Sequence, residues 1–72
     1  MAITKTNGNE FTLVEIAQES LVQFSGVGNI LVAKTASPVD GDWAVFDSGD
    51  FYIASSDVYA KGHRGSVVVL PV

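Results

Sequence analysis

The sequence contains no cysteine, and this absence excludes disulfide bonds and thiolate metal ligands. With 72 residues there is room for a single domain, spanning residues 1–72. A domain of this length buries only ~60% of the surface that its unfolded chain exposes. Domains of this size usually need a disulfide, a metal or a partner chain for stability. Association with a partner is therefore the expected means of stabilisation.

Charged residues are also scarce, at 17% of the chain compared with ~25% in typical domains. The four basic residues are scattered and the formal net charge is −4, so the clustered cations that nucleic-acid binding requires are missing. No apolar run approaches the ~20 residues of a membrane helix, and no signal-peptide core follows Met1. We expect a protein made in the cytoplasm without processing that binds neither nucleic acid nor membrane.

Turn residues recur every six to ten positions, a spacing typical of small all-β domains. The runs between them are rich in Val, Ile, Thr and aromatic residues. The pattern predicts an antiparallel β-sandwich or barrel of about seven short strands. We place these strands near 11–16, 21–25, 29–35, 43–47, 51–54, 58–61 and 66–70, with a possible further edge strand at 3–6.

The segment 13–24 allows a second interpretation. Phe11, Val14, Ala17, Leu21 and Phe24 are spaced as on one face of a helix. However, the β-branched residues of 12–16 alternate as in a strand, and a polar stretch at 18–20 offers a turn. Two strands are favoured over a helix here.

Two segments, 30–33 and 67–70, are apolar at every position and therefore on both faces of a strand. An antiparallel strand normally exposes one face to water, so these strands indicate a covered sheet or a subunit interface. We expect a homo-oligomer in which one of Val68 and Val69 points inward and the other outward. Tyrosine and tryptophan suit interfaces because their rings are buried while a polar group stays hydrogen-bonded. The interface candidates are Trp43, Tyr52, Tyr59, Val68 and Val69.

No combination of residues predicts catalysis, a cofactor or a metal site. His63 is the only histidine and has no acidic neighbour in sequence, so it is interpreted as an exposed turn residue. The aspartates at 40–50 lack the ligand spacing of a calcium loop and are typical of turns. The segment 26–28 lacks the third glycine of a phosphate-binding loop, which favours a hairpin turn.

Four segments together resemble small structural proteins of tailed bacteriophages, such as head-decoration, head-fibre and neck accessory proteins. They are 21–33 (LVQFSGVGNILVA), the dipeptide at 37–38 (SP), 58–61 (VYAK) and 66–72 (SVVVLPV). The resemblance spans roughly residues 11–72. It implies a β-sandwich that oligomerises, often as a trimer, and attaches to other virion proteins on the particle surface. It carries over no catalytic residues.

Two functions are thus expected from the sequence. The first is a non-enzymatic structural or assembly module of a bacteriophage virion, with a trimer as the first expected oligomer. The alternative is a carbohydrate- or ligand-binding β-module that uses Trp43, Tyr52 and Tyr59 as stacking platforms. Multimers in solution would favour the first function, and glycan binding would favour the second.

Overall fold

The structure is a computed structural model that describes residues 2–72. Within these residues the chain forms six antiparallel strands in one sheet and no helix, which confirms the all-β prediction. The strands are β1 (Ala2–Lys5), β2 (Thr12–Val14), β3 (Ser20–Ala33), β4 (Ala44–Phe46), β5 (Phe51–Ala54) and β6 (Val58–Pro71). Residues 13–24 contribute to β2 and β3, so the strand interpretation of this segment is confirmed over the helical one.

Two 14-residue strands, β3 and β6, form the centre of the sheet and run antiparallel from Ser20 opposite Pro71 to Ala33 opposite Tyr59. The short strands β1 and β2 follow one another along the outer side of β6. In the same way β4 and β5 follow one another along β3. The sheet therefore has the order β5-β3-β6-β1 at one end, which we call the first end, and β4-β3-β6-β2 at the second end.

The strand pairing is divided by the loop 34–43. Strands β1, β2 and β3 precede this loop, and strands β4, β5 and β6 follow it. Each of the five ladders joins one strand from before the loop to one from after it. Strands on the same side of the loop form no ladder with each other in residues 2–72.

The two ends of the sheet share one hydrophobic core. The β3–β6 register shifts between Ser25 and Leu31, which marks irregular, bulged pairing at mid-sheet. Val22 and Phe24 from the first end and Ile30 and Val32 from the second end belong to the same buried cluster. The inner faces of both ends therefore meet, and the sheet is bent at its middle. The structure thus has one bent sheet of six strands, whereas the sequence pattern predicted about seven short strands.

Three aromatic rings join the two ends within this core. The ring of Phe24 lies 4.9 Å from that of Phe46 and 5.9 Å from that of Tyr52, and the last two lie 5.6 Å apart. Phe46 pairs with β3 at the second end, whereas Tyr52 pairs with it at the first end. Phe24 is the only fully buried ring of the three and packs against both of the others, so it is the central side chain of this cluster.

The segment 26–28 was expected to be a hairpin turn and His63 to lie in a turn between the strands 58–61 and 66–70, and both predictions are wrong. The segment 26–28 lies inside the continuous strand β3 and His63 inside β6, where the register shifts. Gly28 adopts a φ of 78°, which glycine tolerates at a bulge. At Gly65 a Cβ atom would overlap Thr6 Oγ1 and come within 3.0 Å of the Ser25 carbonyl oxygen. Glycine at position 65 therefore allows three backbone segments to approach closely at the bend.

Candidate functional site: an apolar outer face

The outer face of the first end carries a continuous apolar surface formed by four strands. The register aligns Ile53, Leu21 and Leu70 in one row across β5, β3 and β6. It aligns Phe51, Gln23, Val68 and Ile3 in a second row that extends to β1. Side chains in alternate positions of a strand share a face, so both rows point outward together. We call these seven side chains the outer patch.

The outer patch is exposed to solvent. Phe51 is 64% exposed, Ile3 55%, Ile53 53% and Leu70 40%. None of its seven residues is charged, and Gln23 is its only polar member. The Gln23 Nε2 atom donates a hydrogen bond to the Gly49 carbonyl oxygen at 3.2 Å, which uses part of its polar capacity within the chain. Contiguous exposed apolar surface with few polar groups is typical of an interaction site.

The structure separates the two valines that the sequence predicted to point in opposite directions. Val69 is buried in the core cluster, and Val68 is partly exposed in the second row of the outer patch. The prediction of alternating faces in the segment 67–70 is therefore confirmed. Of these two interface candidates, only Val68 lies where a partner can reach it.

Tyr52 was expected at an interface, but the structure places it half-buried on the inner face of the sheet. Its ring packs against Phe24 and Phe46 in the core, and the strand face opposite to it carries Phe51 and Ile53. Phe51 and Ile53, on the opposite face of the same strand, are the exposed residues instead.

Trp43 and Tyr59 lie at the second end of the sheet, away from Val68. The ring of Trp43 lies 6.0 Å from the ring of Phe11, and the Lys61 ammonium lies 5.7 Å from the centre of the Phe11 ring. Tyr59 pairs with Leu13 on one side and Ala33 on the other. Both residues are half-buried. The structure therefore does not bring the five interface candidates together on one surface.

The polar residues considered for chemistry have structural roles or are exposed. Asp50 Oδ2 accepts a hydrogen bond from the Asp47 backbone N–H at 2.8 Å, within the turn that joins β4 and β5. Asp57 Oδ1 accepts one from the Ile16 N–H at 2.7 Å. His63 is exposed on β6. Among residues 2–72, no three acidic or histidine side chains are placed to hold a metal ion.

The pKa of the Tyr52 hydroxyl is raised above its ordinary value of 10.0 because burial disfavours the charged phenolate. The contribution of this group to stability is complete below pH 10 and is lost as the pH rises through the raised pKa. We expect the free energy of unfolding, measured by urea denaturation at several pH values, to decrease above pH 10. In the Tyr52→Phe variant this decrease should be smaller. Tyr59→Phe is the matched control, since it removes the other tyrosine hydroxyl. Equal pH profiles for wild type and Tyr52→Phe would contradict the assignment.

Comparison with protein-family models, curated protein sequences and solved structures gives no match. Over the part of the chain that the structure describes, no helix has the length and apolar character needed to cross a membrane.

Proposed function

We propose that this chain is a non-enzymatic assembly module that forms a homo-oligomer through its outer patch. The observation that carries this proposal is the uncharged apolar surface formed by Ile3, Leu21, Phe51, Ile53, Val68 and Leu70 across four strands. Covering such a surface removes apolar area from water, which stabilises the assembled state by ~25 cal/mol per Å². The small size of the domain and its lack of disulfides support the same conclusion.

The setting that we propose for this module is the bacteriophage virion, as a capsid-decoration or head/neck accessory protein that binds other virion proteins. This part of the proposal rests on the sequence resemblance of residues 11–72. The resemblance also makes a trimer the first expected oligomer. Such a module needs stable contacts rather than a reactive group, and the outer patch offers contacts of this kind.

The carbohydrate-binding alternative is weakened at one of its three stacking platforms. The half-buried ring of Tyr52 packs against Phe24 and Phe46, which reduces the ring surface that a sugar could contact. Trp43 and Tyr59 are both half-buried. The assembly function is therefore better supported than the alternative.

Val68→Asp tests the proposal because Val68 lies in the middle of the outer patch. A carboxylate there would be buried without a partner upon assembly, at a cost of several kcal/mol. We expect a folded monomer, recognised by a native-like far-UV circular dichroism spectrum and by a monomer mass in size-exclusion chromatography with light scattering. The matched control is Val39→Asp, the same change at an exposed residue in the loop 34–43, which should leave the oligomer intact. A wild-type protein that is monomeric at high micromolar concentration would refute the proposal.

A further inference from the structure

Two strand edges of the first end are open. Within residues 2–72, β5 pairs only with β3, and β1 pairs only with β6. An open edge presents unpaired backbone N–H and C=O groups, to which another strand can add.

The hydrogen-bond alternation shows which backbone groups of β5 face outward. The Phe24 N–H donates to the Asp50 carbonyl oxygen at 2.9 Å, and the Phe24 carbonyl oxygen accepts from the Gly49 N–H at 2.7 Å, so both backbone groups of Phe24 face the β5 side. Along an antiparallel ladder, every second residue directs its backbone N–H and C=O groups to the same neighbouring strand. Tyr52 and Ala54 therefore direct theirs to β3. The backbone groups of Phe51 and Ile53 point away from β3, toward the open edge.

The same reasoning applies to β1. The Thr6 N–H donates to the Gly65 carbonyl oxygen at 2.9 Å, so Thr4 and Ala2 are the next residues bonded to β6. The backbone groups of Ile3 and Lys5 then face the open edge. Each edge thus offers two residues with free backbone groups, and all four of their side chains lie on the outer side of the sheet.

Neither edge carries the usual protection against strand addition. Charged side chains, proline and bulges are the common means by which edge strands avoid pairing. Strand β5 has the sequence Phe-Tyr-Ile-Ala and contains none of them, and β1 carries a single charge at Lys5.

We propose that the occupant of these edges is a second copy of this chain, with β1 of one copy adding to β5 of the next. This inference rests on the proposed self-assembly. It adds a second contact, along the edges of the sheet, to the contact through the outer patch on its face. Neighbouring strands in the order β5-β3-β6-β1 are all antiparallel, so a β5 strand placed beside β1 in the same sheet orientation is also antiparallel. The sheet and its outer patch then continue from one copy into the next. Such a head-to-tail contact can close into a ring.

The side chains of the two edges are complementary in one register. With Ile3 opposite Ile53 of the next copy, the residues with free backbone groups face each other and two apolar side chains meet. Lys5 then lies opposite Phe51, where its ammonium can contact the ring face. The chain already contains this arrangement, because Lys61 lies 5.7 Å from the ring centre of Phe11, the residue that precedes β2. The only charge on the two edge strands thus meets an aromatic ring.

Cysteine cross-linking tests the contact directly, since the chain has no cysteine of its own. In the double variant Ile3→Cys/Ile53→Cys, paired residues of two copies would have Cα atoms about 5.5 Å apart, within the range of a disulfide. Within one copy, β1 and β5 are separated by β6 and β3, or ~14 Å at the usual strand spacing, which a disulfide does not span. We expect oxidation to give covalent multimers on a non-reducing denaturing gel. A mixture of the two single variants should give covalent dimers only.

The controls separate this contact from self-assembly in general. A monomeric wild type in light scattering refutes the proposed function itself, whereas an oligomer without cross-links at positions 3 and 53 refutes only the edge contact. Covalent dimers from Ile53→Cys alone would show a two-fold contact between β5 strands and would also refute it. Hydrogen exchange of the unmodified oligomer gives an independent measurement. The amides of Ile3, Phe51 and Ile53 should be protected, and fast exchange at these three positions would overturn the proposal.

Discussion

Replacing Phe24 by alanine is expected to lower the free energy of unfolding more than any other substitution proposed here. Phe24 is fully buried and contacts the rings of Phe46 and Tyr52, so its removal leaves a cavity between the two ends of the sheet. Such truncations cost about 3–5 kcal/mol. A chain of 72 residues has a total stability of about 4–11 kcal/mol, so the loss is a large part of the total. Urea denaturation monitored by circular dichroism measures it.

Two further variants define the cause of this loss. Phe24→Leu keeps most of the apolar volume and should be clearly less destabilising than Phe24→Ala. Phe51→Ala removes the same side chain from an exposed position, and it should change the free energy of unfolding by only about 0.5 kcal/mol. It is best measured in the Val68→Asp background, so that association does not contribute. Similar losses for Phe24→Ala and Phe51→Ala would contradict the description of the core.

Gly65→Ala is expected to destabilise the domain by about 1–3 kcal/mol or more, which is unusual for the addition of one methyl group. The new Cβ would overlap Thr6 Oγ1 and press on the Ser25 carbonyl oxygen. Thr6 has little freedom to move, because its Oγ1 donates a buried hydrogen bond to the Gly62 carbonyl oxygen at 2.9 Å. Either the bond or the close approach of the strands must be lost. Thermal and urea unfolding measure the effect.

Gly8→Ala provides the matched control for this prediction. A Cβ at Gly8 would lie 3.5 Å from His63 Nδ1, which is an ordinary contact, so we expect little change in stability. A double-mutant cycle with Thr6→Ala tests the mechanism, since removing Oγ1 relieves the overlap and the two changes should be strongly non-additive. Additive effects, or a Gly65→Ala variant as stable as Gly8→Ala, would disprove the close approach at the bend.

The strand content and the facing of side chains follow from local patterns and were predictable from the sequence. The segment Val67–Leu70 alternates between core and surface as expected, and β5 has the predicted bounds Phe51–Ala54. The interruptions of the long strands were not predictable in the same way. A glycine that reverses the chain and a glycine that lets two strands approach have the same local sequence signal. Only the position of Thr6 beside Gly65 decides between them.

The outer patch was only partly predictable, because it is assembled across strands that are distant in sequence. Val68 was identified from the apolar run in which it lies, but Ile3, Phe51 and Ile53 occur in segments with no unusual composition. Their significance arises only from the register that aligns them. Tyr52 was assigned to an interface from the general preference of tyrosine. In the structure its ring instead packs against both Phe24 and Phe46.

The division of strand pairing by the loop 34–43 has a consequence for how the chain folds. Because each ladder joins a segment before this loop to one after it, neither half of the chain gains any strand pairing alone. The hairpin of β3 and β4 closes the shortest loop of the five pairings. Because a short loop costs the least entropy to close, this hairpin is expected to form first. The remaining pairings join residues farther apart in sequence, and such contacts slow folding. A nascent chain released before residue 44 has no partner for its strands, so folding is expected to begin only after synthesis has passed the loop.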